Sequence, residues 1–207
     1  MDLLTGPERR VVISLPRSNR IDSFMAQPMA KGFEVFEAID GRLQESQYDF
    51  SMKRYMNYYQ HPPTPGQVGC AISHFRVIRS FAITEGPPSS TLLVAEDDSR
   101  FGMDFPGVLG KINKNGPFDI AVLADRKPTN PRPAFQRILM AESQLSLFSN
   151  FIVTPPRIYR FGRFEGDPYC AALYVITGSS RFVVNDPAVA GIHATVLAAL
   201  VSRIRVR

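Results

Sequence analysis

Short apolar runs alternate with helical patterns along the first half of the chain. The run 11–15 is rich in β-branched residues and predicts a buried strand, and the polar segment 17–20 predicts a loop that leads into a helix. The segment 33–39 predicts a second strand, because apolar and acidic residues alternate in it and it ends at the turn signal Asp40-Gly41. The polar and aromatic segment 42–63 predicts an irregular insertion with one helical turn.

The clearest helix signal lies at Thr64. Thr64 can cap a helix, Pro65 takes the first position, where its missing N–H costs nothing, and Gln67 completes a capping box. An apolar stripe at helical spacing follows, formed by Val68, Ile72, Phe75, Ile78 and Ala82. The glycine and proline residues of 85–88 are predicted to end this helix.

A further strand, predicted at 91–95, runs directly into the acidic triplet Glu96-Asp97-Asp98. Strands are also predicted at 118–124 and 171–176. Strands that alternate with helices predict an α/β fold with a mostly parallel central sheet flanked by helices. Ligands of such sheets bind at the carboxyl ends of the strands, so we expect the triplet to lie at a ligand-binding edge.

Composition and charge limit the classes of protein to which the chain can belong. The 207 residues suit one domain, and 44% of them are hydrophobic, which is ordinary for a protein with a packed core. The net charge of +5 comes from scattered arginines and forms no long basic run, which argues against a nucleic-acid-binding protein. The first ten residues lack the apolar core of a signal peptide, and no apolar run approaches the roughly 20 residues that cross a bilayer. We therefore expect a cytoplasmic protein.

The two cysteines, Cys70 and Cys170, form no Cys-x-x-Cys motif, and the three histidines are scattered. This pattern shows no metal site built from cysteine and histidine, and it favours two reduced, buried thiols over a disulfide.

The acidic triplet carries the chemistry that the residues indicate most directly. Adjacent carboxylates repel one another unless water or a cation screens them. Mg²⁺ and Mn²⁺ prefer oxygen ligands and often join one or two carboxylates to substrate phosphates. Glu96, Asp97 and Asp98 are therefore candidate ligands of a divalent metal, with a solvated acidic turn or a helix cap as the alternative.

Four ordered motifs together resemble glycosyltransferase family 25, which includes bacterial lipopolysaccharide and lipooligosaccharide sugar transferases. The segment 64–75 is similar to the family's "Gly-(Cys/Ala)-Ala-x-Ser-His" helix, and 92–98 is similar to its apolar strand and "Glu-Asp-Asp". The segment 12–20 resembles its N-terminal strand and arginine-bearing loop, and 36–41 resembles its "Ala-x-Asp-Gly" turn. The resemblance covers roughly residues 10–180.

The resemblance implies a glycosyltransferase A-type nucleotide-binding fold, a UDP-sugar donor, commonly UDP-galactose, and Mn²⁺ or Mg²⁺ as cofactor. By position it assigns the metal to Asp97 and Asp98, which follow Glu96, and the nucleotide or its phosphates to Arg17 and Arg20. A guanidinium suits phosphate, which it can bind through two hydrogen bonds. Ser73 and His74 match the helix motif and are candidates for binding the nucleotide or substrate, or for a structural role.

An inverting transfer needs a carboxylate that deprotonates the acceptor hydroxyl. Asp125 and Asp167 are the candidates, although both are also typical turn residues. The segment 157–164 interleaves arginines with aromatic residues, which fits either an edge strand or a contact with an anionic, lipid-linked acceptor.

The similarity weakens towards the C-terminus, where the family's later Gly-Thr and acidic motifs are missing. We therefore divide the chain into a family-25-like domain, 1–187, and an atypical tail, 188–207, and expect a C-terminus shortened relative to the family. The tail is either a last core helix or a helix on the inner membrane surface.

The sequence thus predicts an enzyme that transfers a hexose from a UDP-sugar to a glycan or glycolipid acceptor. Two alternatives remain open: a relic of the same fold that binds nucleotide without turnover, and a basic nucleic-acid-binding protein. We also expect alanine at Asp97 or Asp98 to remove the metal-dependent part of UDP binding and to leave the fold intact.

Overall fold

The computed structural model describes residues 8–43, 50–84, 87, 89–112, 120–123, 145–154, 157–164 and 173–177 of the 207-residue protein. The strands within these ranges are β1 (Arg9–Ser14), β2 (Glu34–Glu37), β3 (Thr91–Glu96), β4 (Ile120–Val122), β5 (Leu145–Thr154), β6 (Arg157–Phe164) and β7 (Leu173–Thr177). The helices are α1 (Arg20–Met25), a 3-10 helix (Pro28–Ala30), α2 (Met52–Tyr59), α3 (Pro65–Ile83) and α4 (Phe105–Ile112).

Five strands form one mixed sheet in the order β2-β1-β3-β7-β4. β1 pairs in parallel with both β2 and β3, whereas β7 is antiparallel to both β3 and β4. Four of these strands therefore point the same way, which confirms the predicted α/β class and the mostly parallel sheet. β5 and β6 pair with each other as a separate antiparallel ribbon, so the segment 157–164 is a strand.

Alternate residues of β1 and β3 face opposite sides of the sheet, and both sides are covered. On one side α3 packs over a buried cluster of Val11, Ile13, Val77, Ile78, Phe81, Ala82, Leu92, Val94 and Tyr174. On the other side α1, the 3-10 helix and α4 contribute to a cluster of Val12, Phe24, Ala30, Phe33, Leu93, Ala95, Leu109 and Val175. Burial on both sides explains the continuous apolar sequences of these two strands.

The predicted start of α3 is confirmed. The Gln67 backbone N–H donates to Thr64 Oγ1, and Gln67 Oε1 accepts from the Thr64 backbone N–H at 2.8 Å, which completes the capping box. Four members of the predicted apolar stripe are buried, but Phe75 is only half-buried. Val77 takes its place in the core.

The segment 42–63 is more helical than predicted, because α2 has eight residues rather than one turn. Tyr55 of α2 is buried with Phe50 against Val68 and Ile72 of α3. This packing stabilises a helix that the polar and aromatic sequence does not indicate by itself.

None of the helices in the described ranges has the length and apolar character needed to cross a membrane. The tail 188–207 lies outside the described residues.

Candidate functional site

A pocket of about 440 Å³ opens at the carboxyl ends of β1 and β3. These two strands are parallel neighbours, so the residues that follow them meet at one edge of the sheet. The turn at 38–42 and the first turns of α3 form the rest of the wall. The polar and charged lining residues are Arg20, Asp40, Arg42, Cys70, Ser73, His74, Glu96 and Asp97.

Asp97 is the most enclosed acid of the triplet, with a side chain only 3% exposed. Its Oδ2 accepts hydrogen bonds from the hydroxyls of Ser14, at 2.8 Å, and Ser18, at 2.7 Å. Its Oδ1 lies 3.0 Å from Nη2 of Arg20. Both oxygens are thus already bound to groups between the end of β1 and the start of α1, and the carboxylate holds this segment against the end of β3.

Asp98 differs sharply from its neighbour. Its side chain is 53% exposed, and its contact with Arg20, 3.9 Å from Oδ2 to Nη1, is long for an ion pair. Arg20 itself is half-exposed, so its guanidinium faces solvent while it binds Asp97.

Arg17 is exposed and has a positive φ of 62°, a region that residues other than glycine rarely adopt. The loop that carries Arg17 also carries Ser18, whose hydroxyl binds Asp97. The strained residue therefore lies in the loop anchored at the pocket.

Glu96 points towards α3 rather than towards Arg20. Its Oε1 lies 2.9 Å from Nε2 of His74, and Nδ1 of His74 lies 2.9 Å from the hydroxyl of Tyr174. The hydrogen bond from His74 and a hydrogen bond from Cys70 hold the pKa of Glu96 below its ordinary value, against the opposing effect of burial. Burial, together with the nearby Cys70 and Glu96, raises the pKa of Tyr174 well above 10, so its hydroxyl remains protonated.

Cys70 corrects one prediction. Its thiol is exposed rather than buried, and its Sγ lies 3.6 Å from Oε1 of Glu96. Cys70 and His74 are four residues apart on α3 and therefore project from the same face of the helix. Contrary to the sequence interpretation, cysteine and histidine meet here: the ligand atoms of Cys70, His74 and Glu96 all lie within 4.8 Å of one another.

Ser73 is fully buried and holds two backbone segments together. Its hydroxyl accepts from the backbone N–H of Ile39 at 2.8 Å and donates to the carbonyl of Gly69 at 2.6 Å. The turn at Gly41 lies so close to α3 that a Cβ on Gly69 would be 2.4 Å from the Ile39 carbonyl oxygen. A Cβ on Gly41 would likewise be 1.9 Å from the Pro65 carbonyl oxygen, so both glycines are needed for this contact.

Asp40 and Arg42 form an ion pair at the rim of the pocket. Nε of Arg42 donates to both carboxylate oxygens, at 2.8 and 3.0 Å, and its Nη2 also binds Oδ2. The hydrogen bonds from Arg42 lower the pKa of Asp40 to about 2. The pair keeps two opposite charges at the pocket mouth.

The structure brings together five of the sequence candidates in the pocket wall, namely Arg20, Ser73, His74, Glu96 and Asp97. Asp98 contacts Arg20 from outside that wall. The three carboxylates of the triplet do not converge, because Glu96 faces α3 and Asp97 faces the β1–α1 loop. Metal binding by the triplet stays a prediction. Asp125 and Asp167 lie outside the described residues.

Sequence reasoning missed Ser14, Ser18 and Cys70. The Cys70–His74 spacing of four residues falls on the helix predicted from Thr64, and this spacing indicates a shared helix face. No sequence signal pairs Ser14 or Ser18 with Asp97, since that contact depends on β1 lying beside β3.

Two comparisons with known proteins bear on this site. The family model described as "Glycosyltransferase family 25 (LPS biosynthesis protein)" matches residues 8–179, which is more than half of the chain. A search of curated proteins finds no match. The matched range includes every residue of the pocket wall named above.

Proposed function

Because this chain belongs to glycosyltransferase family 25, a family of lipopolysaccharide biosynthesis proteins, we propose that it transfers a hexose from a UDP-sugar to a saccharide acceptor. Galactose is the hexose we favour, and the acceptor is a glycan or glycolipid of the cell surface. The observation that carries the proposal is the pocket at the carboxyl ends of β1 and β3, where an α/β sheet collects its ligands.

The pocket suits a nucleoside diphosphate in size, and its wall includes Arg20 and Arg42. Its volume of about 440 Å³ is within the range of small-molecule sites. The N-terminus of α3 lines it, and the positive end of a helix dipole favours phosphate there. These features support nucleotide binding at this edge of the sheet, and the family match supports our proposal of the glycosyltransferase A type.

Arg20 is the residue we propose to bind the diphosphate. Its guanidinium is half-exposed and fixed by Asp97, so it is oriented before the ligand arrives. Arg17 is the second candidate, because backbone strain at a non-glycine residue concentrates at ligand-binding loops.

We also propose that Mn²⁺ or Mg²⁺ binds here, although the three carboxylates of the triplet do not fit the cation equally well. Asp98 fits a hard cation, since its carboxylate is half-exposed and weakly paired. Asp97 fits only if it exchanges Arg20 for the metal, and Glu96 fits less well because its Oε1 faces His74. A bound cation would supply charge neutralisation for the departing UDP.

His74 and Ser73 act, in this proposal, by positioning rather than by binding the donor. Ser73 fixes the turn at Ile39, and His74 fixes Glu96 at the pocket wall. Asp125 and Asp167 stay the candidates for the base that activates the acceptor.

The function is tested by turnover. The purified chain is incubated with UDP-galactose, UDP-glucose and UDP-N-acetylglucosamine, each with Mn²⁺ or with a chelator, and UDP release is measured. We expect metal-dependent release of UDP, fastest with UDP-galactose. Binding of UDP without release from any donor would favour the non-catalytic alternative, and neither binding nor release would contradict the proposal.

A further inference from the structure

One cluster at the pocket is not explained by nucleotide binding. Sγ of Cys70 and Nε2 of His74 both lie against Oε1 of Glu96, at 3.6 and 2.9 Å. These three side chains bring together a sulfur, a nitrogen and an oxygen, all within 4.8 Å of one another. They form the one such group among the described histidines, cysteines and acids.

Sulfur and imidazole nitrogen select a softer cation than Mg²⁺ or Mn²⁺, and zinc accepts all three ligand types. A zinc ion with bonds of about 2.0–2.3 Å at tetrahedral angles holds neighbouring ligand atoms about 3.3–3.6 Å apart. The Sγ–Oε1 distance of 3.6 Å already matches, and the Nε2–Oε1 distance of 2.9 Å requires the two side chains to separate slightly.

The surroundings supply two further properties of a metal site. His74 is almost fully buried, and its Nδ1 lies 2.9 Å from the Tyr174 hydroxyl, a partner that can accept from Nδ1–H while Nε2 binds the metal. Cys70, His74 and Glu96 all line the pocket, so the pocket gives an ion access to this cluster.

We propose that Cys70, His74 and Glu96 bind a zinc ion, with its fourth position open to the pocket. The site is distinct in chemistry from the hard-cation ligand Asp98, and it does not depend on the chain being a sugar transferase. Three protein ligands with one open position is the arrangement of zinc sites that bind a water or a substrate oxygen.

Cobalt provides the direct test, because a thiolate ligand gives Co²⁺ an intense near-ultraviolet charge-transfer band. The full chain is stripped with a chelator and titrated with Co²⁺, and zinc affinity is measured by competition with a chromophoric chelator. We expect the thiolate band to saturate at one Co²⁺ per chain, and Zn²⁺ to displace that cobalt.

Matched variants locate the site. Cys70→Ser, at an exposed position, should remove the band, whereas Cys170→Ser, at the other cysteine, should keep it. Glu96→Gln preserves a hydrogen-bond acceptor for His74 and should weaken zinc binding by more than about tenfold. Asp98→Asn should leave both the band and the zinc affinity unchanged.

A missing band, a band that survives Cys70→Ser, or one that is lost in Cys170→Ser or Asp98→Asn would overturn the proposal. If Glu96→Gln left the zinc affinity unchanged, the assignment of Glu96 as the third ligand would be overturned. Because no nucleotide is present in these titrations, their failure is separable from a failure to release UDP.

Discussion

Asp97 has two roles that it cannot fill at the same time. As a proposed metal ligand it must release Arg20, yet in the structure it binds Arg20, Ser14 and Ser18 at once. A buried carboxylate with this many donors stabilises the loop that it holds, and its removal leaves the buried Ser14 hydroxyl without this acceptor. The expectation that alanine at this position leaves the fold intact is therefore revised.

We predict that Asp97→Ala lowers the free energy of unfolding by about 1–3 kcal/mol, because the buried Ser14 hydroxyl and the partly buried Ser18 hydroxyl lose this acceptor. Asp98→Ala is the matched control, and its half-exposed side chain should change stability by less than about 0.5 kcal/mol. Urea unfolding followed by circular dichroism measures both. Equal stability of the two variants would contradict the anchoring role of Asp97.

The Asp40–Arg42 pair leads to a prediction about pH. The folded-state pKa of Asp40, about 2, lies below the ordinary 3.8, so the pair stabilises the turn above pH 3.8 and loses that contribution as the pH falls towards 2. At about pH 3, Asp40 should be ionised in the native chain and largely protonated in Arg42→Ala. The carboxyl ¹³C shift of Asp40 reports this, with Arg9→Ala as a control that leaves the pair intact. Identical shifts in the native chain and Arg42→Ala would refute the pairing.

At the scale of elements, the contact between the 38–42 turn and α3 sets the shape of the pocket. The Gly41 and Gly69 backbones touch, and the Ser73 hydroxyl bridges from α3 to Ile39. This contact gives a physical reason for the glycines in both the turn motif and the helix motif.

Gly69→Ala should therefore destabilise the protein by about 1–3 kcal/mol, because the new Cβ would meet backbone atoms that cannot move independently. Gly66→Ala, in the same helix, has no atom within 4 Å of its Cβ. It should be neutral or stabilising by up to about 1 kcal/mol, since alanine favours helix. Chemical denaturation measures the free energy of unfolding of both variants. If Gly69→Ala were as stable as Gly66→Ala, the close contact at Gly69 would be contradicted.

The same elements show which features of the fold could be predicted from the sequence. The start of α3 was predictable because its signals, Thr64, Pro65 and Gln67, act within one turn. α2 was not, because Tyr55 gains its stability from packing against α3. The triplet was correctly predicted at the end of a buried strand. The side chains of Glu96 and Asp97 point in different directions because α3 lies on one side of β3 and the segment after β1 on the other, and these neighbours cannot be predicted from the local sequence.

At the scale of the whole molecule, topology assembles the site from distant segments. β1 and β3 are adjacent although about eighty residues separate Ser14 from Asp97 in sequence. β7 then inserts antiparallel beside β3 and brings Tyr174 to His74. The pocket therefore exists only in the folded chain, and any ligand that binds there must stabilise the fold.

This linkage gives the last prediction. UDP at about 100 times its Kd should raise the free energy of unfolding by about 2.7 kcal/mol, which corresponds to a rise in Tm of about 5–10 °C for a chain of this size. Arg20→Ala should remove most of that rise, because it deletes the guanidinium proposed to bind the diphosphate. Arg9→Ala changes an arginine whose partner is Glu34, outside the pocket wall, and should retain the rise. Thermal unfolding with and without UDP measures all three proteins. If Arg20→Ala responds to UDP as the native chain does, the phosphates bind elsewhere, and the pocket at the ends of β1 and β3 loses its assignment.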